Sequence, residues 1–227
     1  MRSIRPYAQL ILAAPFMLAV GAAYALFPLA WDGALVWSAV GFGALGWAVA
    51  LALRGPVALL VRRRSEHMPT VQRAIAAASG PLEEPVRLIL LALIGRDLDA
   101  AYSIGLGWAG LEILYGIVNG FVLASIRTRT DEKAVEARRQ LEELGFLRDF
   151  PAYAGVVERF TASAFHIGST LLLAWSPVLL VAAIPVHSGL NLGFLALLPR
   201  SMARAQVVVG AIGLPVLAAG LVAAGAF

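Results

Sequence analysis

The sequence contains no cysteine and only three histidines. Without cysteine the protein has no disulfide, no thiolate metal ligand and no cysteine nucleophile. Charged residues are also scarce, at 14% of the 227 residues, whereas 60% are hydrophobic. A soluble domain of this length carries more polar surface, so the composition indicates an integral protein of the lipid bilayer. The formal net charge of +4 comes from arginines in short connecting segments, and we expect no nucleic-acid partner.

Long apolar runs predict the architecture. A hydrocarbon core of about 30 Å requires roughly 20 apolar residues in a helix. The runs predict one all-α membrane domain over 1–227, a bundle of about seven transmembrane helices at 7–30, 34–61, 81–95, 100–126, 154–174, 177–198 and 203–225. The polar stretch 127–150 is predicted to hold an amphipathic helix at the cytoplasmic surface, ending at Gly145.

The run at 81–95 is too short to span a bilayer, because at ~1.5 Å per residue it covers only about 22 Å. It follows the dipeptide Gly80-Pro81. We therefore expect this helix to begin inside the membrane, with irregular backbone over 69–79 beside a cavity.

Basic residues are confined to alternate connecting segments, which predicts a cytoplasmic N-terminus and an external C-terminus. The expected location is a bacterial inner membrane, crossed several times. The opposite segments hold Arg96 beside Asp32, Asp97 and Asp99. The basic residues of the cytoplasmic segments are Arg2, Arg5, Arg62, Arg63, Arg64, Arg73, Arg127, Arg129, Lys133, Arg138, Arg139, Arg148, Arg200 and Arg204.

Polar side chains within the predicted spans are costly and usually face a protein interior or a water-filled cavity. Helical spacing places them on one face of each helix. At ~1.5 Å per residue Glu83, Glu112, His166 and His187 lie about 15 to 18 Å from a helix end. One cavity near the midplane, open to the cytoplasm, is therefore predicted to be lined by Glu83, Glu84, His166, His187 and Asn191. The polar residues within the spans are Glu83, Glu84, Arg87, Glu112, Tyr115, Asn119, Glu158, Arg159, Ser163, His166, Thr170, His187, Ser188 and Asn191.

Structural explanations exist for several of these residues. Arg87 can neutralise the neighbouring glutamates as an ion pair within one helix. Glu158 and Arg159 lie nearer the membrane surface, where an ion pair is less costly. A single histidine within a membrane helix often has no role other than to form a hydrogen bond to a neighbouring helix. Glu112 stays open as a ligand, a second base, or a partner of Arg87 or Arg159.

A family resemblance adds to this pattern. The order Glu83-Glu84, Arg87, His166 and His187-x-x-x-Asn191 resembles the motifs of the CAAX-protease and bacteriocin-processing membrane enzymes, in a superfamily that includes PrsW-like proteins. The closer resemblance is to its YhfC-like branch of intramembrane metalloproteases, through the segments ending at Glu112 and beginning at Glu158-Arg159. The resemblance covers residues 80–195.

The resemblance implies an intramembrane endopeptidase that acts on membrane proteins or lipidated peptides. Glu83 would be the general base and Glu84 its support. His166, His187 and Asn191 would orient water and stabilise the oxyanion, with Arg87, Glu112, Glu158 and Arg159 supporting them.

The residues themselves allow three further readings of the chemistry. His166 and His187, with Glu112 or Glu83, could hold a catalytic zinc with water in the fourth position, although a metal-free mechanism is preferred. A proton-coupled transporter would also place glutamate and histidine at midplane. A catalytically inactive scaffold that binds partner transmembrane helices would use the same residues for structure alone.

Overall fold

The described part of the chain is helical throughout. The computed structural model describes residues 5–144, 147 and 151–227, which contain eight α-helices and two short 3-10 segments, Phe27–Trp31 and Pro177–Leu179. The predicted all-α fold is confirmed. The basic residues Arg2 and Arg148 and the expected helix end at Gly145 lie outside the described residues. The helices are α1 Arg5–Leu26, α2 Trp37–Arg62, α3 Met68–Ile94, α4 Leu98–Thr128, α5 Glu132–Glu143, α6 Tyr153–Trp175, α7 Leu180–Leu197 and α8 Met202–Ala223.

Five helical segments are long and apolar enough to cross a membrane, namely Tyr7–Trp31, Trp37–Arg62, Leu98–Thr128, Pro177–Leu197 and Met202–Ala223. The chain is therefore a helical membrane protein. Helices α3 and α6 have 27 and 23 residues, which is spanning length at ~1.5 Å per residue. They are less apolar because they carry the ionisable residues of the candidate site. Helix α5 is the helix predicted within 127–150, and Asp131 caps its first turn.

Burial is most continuous around the first half of α4 and the second half of α6. Every residue of α4 from Ala100 to Ala109 is buried, as is every residue of α6 from Ser163 to Leu171. Helices α2 and α4 meet backbone to backbone, because a Cβ on Gly107 would lie 1.9 Å from the Val40 carbonyl oxygen. Beyond Ala109, α4 is mostly half-buried or exposed. The candidate site lies where the tight packing ends.

Helix α3 differs from the sequence prediction. It runs without a break from Met68 to Ile94 and contains both Pro81 and Pro85. The predicted short helix that starts inside the membrane is therefore wrong, and so is the irregular backbone over 69–79. Pro69 lies in the first turn of α3, where a proline is well tolerated.

A serine of α7 explains why the proline does not end the helix. Pro81 has no N–H for the carbonyl of Ala77, and an unpaired carbonyl in a bilayer is costly. The Ser188 hydroxyl donates to that carbonyl at 2.7 Å and accepts the N–H of Gly80 at 3.2 Å. Gly80 permits this approach, since a Cβ there would lie 2.1 Å from the Ile184 carbonyl oxygen. Contacts with another helix thus keep α3 continuous.

We expect Ser188→Ala to destabilise the folded protein, because it leaves the Ala77 carbonyl and the Gly80 N–H without their partner. The loss should be about 1 kcal/mol, the net contribution of a typical hydrogen bond, and should appear as a lower unfolding temperature in detergent. Ser38, exposed on α2, is the matched control, and Ser38→Ala should leave that temperature unchanged. Equal stability of the two variants would contradict the role of Ser188.

Candidate functional site

Three helices bring ionisable side chains to one buried point. Glu83 and Glu84 lie on α3, His166 on α6 and His187 on α7, and all four are buried. One ligand-type atom of each of Glu83, His166 and His187 lies within 4.8 Å of the other two. The structure therefore brings together the glutamate and the two histidines that the sequence placed at one depth. Glu112 of α4 joins them through a contact with His166.

Glu84 determines which nitrogen of His187 carries the proton. The Glu84 carboxylate accepts a hydrogen bond from the Ser169 hydroxyl at 3.0 Å and faces the Arg87 guanidinium at 3.6 Å. Its other contact is with Nδ1 of His187, at 2.5 Å. A carboxylate paired with arginine accepts hydrogen bonds, so Nδ1 of His187 is the protonated nitrogen. In the neutral imidazole Nε2 then has a free lone pair, and it faces Oε2 of Glu83 at 3.7 Å.

Arg87 determines the tautomer of His166, in which Nε2 and not Nδ1 carries the proton. Its guanidinium donates to the His166 backbone oxygen at 2.9 Å and contacts Nδ1 at 3.0 Å. Because arginine can only donate, Nδ1 accepts and Nε2 holds the proton. Nε2 lies 2.6 Å from Oε2 of Glu112, which accepts that proton in a hydrogen bond. The guanidinium also lies over the Trp108 ring, 4.6 Å from its centroid.

Glu83 has two partners that the sequence analysis did not include. Arg54 of α2 pairs with Oε1 through its Nη2 atom, and the indole N–H of Trp108 donates to Oε2 at 3.2 Å. Arg54 was detectable as a lone arginine inside the predicted span 34–61. Trp108 and Ser169 carried no such signal, because both residue types are common within membrane helices.

The open role of Glu112 is resolved in part by its contacts. Arg159 of α6 lies 3.2 Å from Oε1 of Glu112, and its Nε atom lies 2.5 Å from Glu158. Arg159 is thus shared by two carboxylates, one of which also holds His166. The residues predicted to support the site form one continuous chain of contacts with it.

Two cavities meet at the site, and Arg54, Glu112 and Arg159 line both of them. The smaller cavity, of about 220 Å³, contains Glu83, both imidazoles and Asn191. Asn191 lines it without a side-chain hydrogen bond to any described residue. The larger cavity, of about 490 Å³, extends between α2, α3 and α4 and is lined by the predicted polar residues Tyr115 and Asn119.

The donor set does not fit zinc as the side chains stand. A zinc-bound histidine coordinates through one nitrogen and donates its other N–H to an acceptor. His187 has that arrangement, with Nδ1 on Glu84. His166 does not, since the guanidinium of Arg87 uses its lone pair and Glu112 binds its N–H. Glu112 contacts His166 and is not in the close group of Glu83, His166 and His187. The predicted set of two histidines and Glu112 is therefore not assembled around one point.

No protein-family model matches the chain, and neither a curated protein nor a solved structure matches it.

The donor geometry generates a prediction about metal content. We expect the purified protein to hold far less than about one zinc per chain by elemental analysis, because coordination by His166 would break its contact with Arg87. Incubation with zinc followed by desalting should not change this value. About one zinc per chain, lost in the His166→Ala/His187→Ala variant, would contradict the prediction.

Proposed function

We propose that this protein is an intramembrane peptidase that hydrolyses peptide bonds of membrane-associated substrates with a water activated by Glu83. The observation that carries the proposal is the pair formed by Oε2 of Glu83 and Nε2 of His187. Both atoms are acceptors, they lie 3.7 Å apart, and both residues line the smaller cavity. A water that donates one proton to each would be held with its oxygen lone pairs directed away from both.

Such a water is a suitable nucleophile for a peptide carbonyl. Glu83 takes the proton as the oxygen bonds to the carbonyl carbon, and the carbonyl electrons move onto oxygen. The intermediate collapses with cleavage of the C–N bond, and the proton passes to the departing amine. The products are a carboxylic acid and an amine, so atoms and charges balance. Burial of Glu83 favours this role, because few waters compete for the carboxylate.

The other site residues then have supporting roles. Glu84 fixes the tautomer that presents Nε2 of His187 to the water. Ser169 and Arg87 hold Glu84 in place. His166 connects Arg87 to Glu112 and forms the wall of the cavity. Asn191 provides an amide that a substrate backbone can bind.

We further propose seven membrane spans, α1 to α4 and α6 to α8, with the N-terminus and α5 in the cytoplasm. The distribution of arginine supports this orientation. With it, the tightly packed end of the bundle lies externally and the larger cavity is open on the cytoplasmic side. Substrates would then be membrane proteins or lipidated peptides that approach from the cytoplasm.

Cysteine accessibility tests the orientation, because the chain has no cysteine of its own. We expect Gln140→Cys, on α5, to react with a membrane-impermeant maleimide only after the membrane is permeabilised. Arg96→Cys, exposed between α3 and α4, should react in intact cells and is the matched control. The reverse labelling pattern would overturn the orientation and leave the fold unaffected.

The peptidase proposal is tested first with Glu83→Gln. This variant keeps the shape of the side chain and, through its amide oxygen, the hydrogen bond from Arg54, but it loses the acceptor for Trp108, and the amide is not a base. We expect hydrolysis to fall by about 10² or more. The measurement is mass spectrometry of products after co-reconstitution in liposomes with a library of single-span peptides, with and without lipid anchors.

Two results would contradict the peptidase proposal. Equal product formation by wild-type protein and Glu83→Gln would remove Glu83 from the chemistry. An absence of products with wild-type protein across the library would remove the peptidase function, and would favour the transporter or the inactive scaffold. Arg62→Gln, exposed at the end of α2, is the control and should retain wild-type hydrolysis.

A further inference from the structure

The histidines of the site have no N–H available for an oxyanion. The Nδ1 proton of His187 is bound to Glu84, and its Nε2 atom is an acceptor. The Nε2 proton of His166 is bound to Glu112. Peptide hydrolysis nonetheless requires a donor where the negative charge develops. That donor must come from another side chain in the cavity.

Arg54 is a charged hydrogen-bond donor that lies next to Glu83 and lines the cavity. It is the residue of α2 that reaches Glu83, and it lines both cavities beside Glu112 and Arg159. Its side chain is 23% exposed, whereas that of Glu83 is 2% exposed. The side chain of Arg54 therefore contacts the buried base and also borders both cavities.

The contacts of Arg54 differ from those of an arginine with a purely structural role. A structural arginine–carboxylate pair commonly uses two parallel hydrogen bonds. Here one terminal nitrogen pairs with Oε1 of Glu83, while Oε2 is occupied by Trp108 and faces His187. The Nε atom of Arg54 is buried and has no hydrogen-bond partner among the described residues. Because Nε is buried, the donor that a substrate could meet is the other terminal nitrogen, Nη1, which forms no hydrogen bond to a described residue.

We propose that Arg54 is a catalytic residue that donates to the carbonyl oxygen of the bond being cleaved. The inference rests on the proposed peptidase function and assigns the oxyanion donor of that site. As water adds to the carbonyl carbon, the electrons of the C=O bond move to oxygen, and Arg54 stabilises the resulting negative charge. When the C–N bond breaks, the carbonyl re-forms and the guanidinium is released unchanged.

The decisive test is removal of the guanidinium followed by its return from solution. We expect Arg54→Ala to lower kcat by about 10²–10³ with little change in KM, the effect of losing one oxyanion donor. Methylguanidinium at millimolar concentration should restore part of kcat, because the deletion leaves a space open to the larger cavity. N-methylurea, which is neutral and of similar shape, should not restore it.

Controls separate this proposal from the peptidase proposal. Arg62→Ala on the same helix should keep wild-type kcat, and methylguanidinium should not restore Glu83→Gln. If Arg54→Ala fails to fold, Arg54→Lys replaces it. The ammonium of lysine retains the charge near Glu83, but it lacks the planar fork and the reach with which a guanidinium joins the carboxylate to a carbonyl, so kcat should fall about 10-fold or more.

Wild-type kcat in Arg54→Ala or Arg54→Lys would overturn the role of Arg54 while leaving a Glu83-dependent peptidase. Loss of activity in folded Arg54→Ala without restoration by methylguanidinium would also overturn it, since the arginine would then act only through structure. Absence of hydrolysis by wild-type protein would overturn the peptidase function and this assignment with it.

Discussion

Arg87 binds His166 through both terminal nitrogens, one to the backbone oxygen and one to Nδ1, and it faces Glu84 at 3.6 Å. Through these contacts one buried guanidinium sets the protonation of both histidines. It makes His166 a donor toward Glu112 and keeps Glu84 an acceptor, so that His187 directs a lone pair at Glu83. Replacement of Arg87 by a neutral residue would leave Glu84 buried without its counter-ion, and such losses cost about 3–5 kcal/mol.

The position of this network within the bundle matters as much as its contacts. The first half of α4 and the second half of α6 pack closely against the histidines on one side. On the other side two cavities begin at Arg54, Glu112 and Arg159. The carboxylates therefore lie between a closely packed interior and the two cavities. The proposed hydrolysis requires such an arrangement, in which a buried base can be reached from one direction.

Much of this arrangement was predictable, because the rise of a helix is constant. Counting residues from helix ends placed Glu83, His166 and His187 at one level, and the structure brings them together. The continuity of α3 was not predictable, since it depends on a serine of α7 that pairs with backbone groups beside Pro81. The pairing of Arg54 with Glu83 was likewise inaccessible, because it depends on how α2 and α3 are rotated against each other. The depth of a side chain along its helix could be predicted from the sequence, whereas the contacts between helices could not.

Ser188, which pairs with the backbone of α3, is synthesised long after α3 itself. Ser188 follows Gly80 by 108 residues and Ala77 by 111. The partners of Glu84 on α6 and α7 likewise follow it by 85 and 103 residues. A ribosome therefore delivers α3, with Glu84 and Pro81, long before the residues that pair with the carboxylate and with the backbone beside the proline. Until α7 is inserted, the Ala77 carbonyl and the Glu84 carboxylate lack these partners, so the network of contacts can be completed only after α7 has been synthesised.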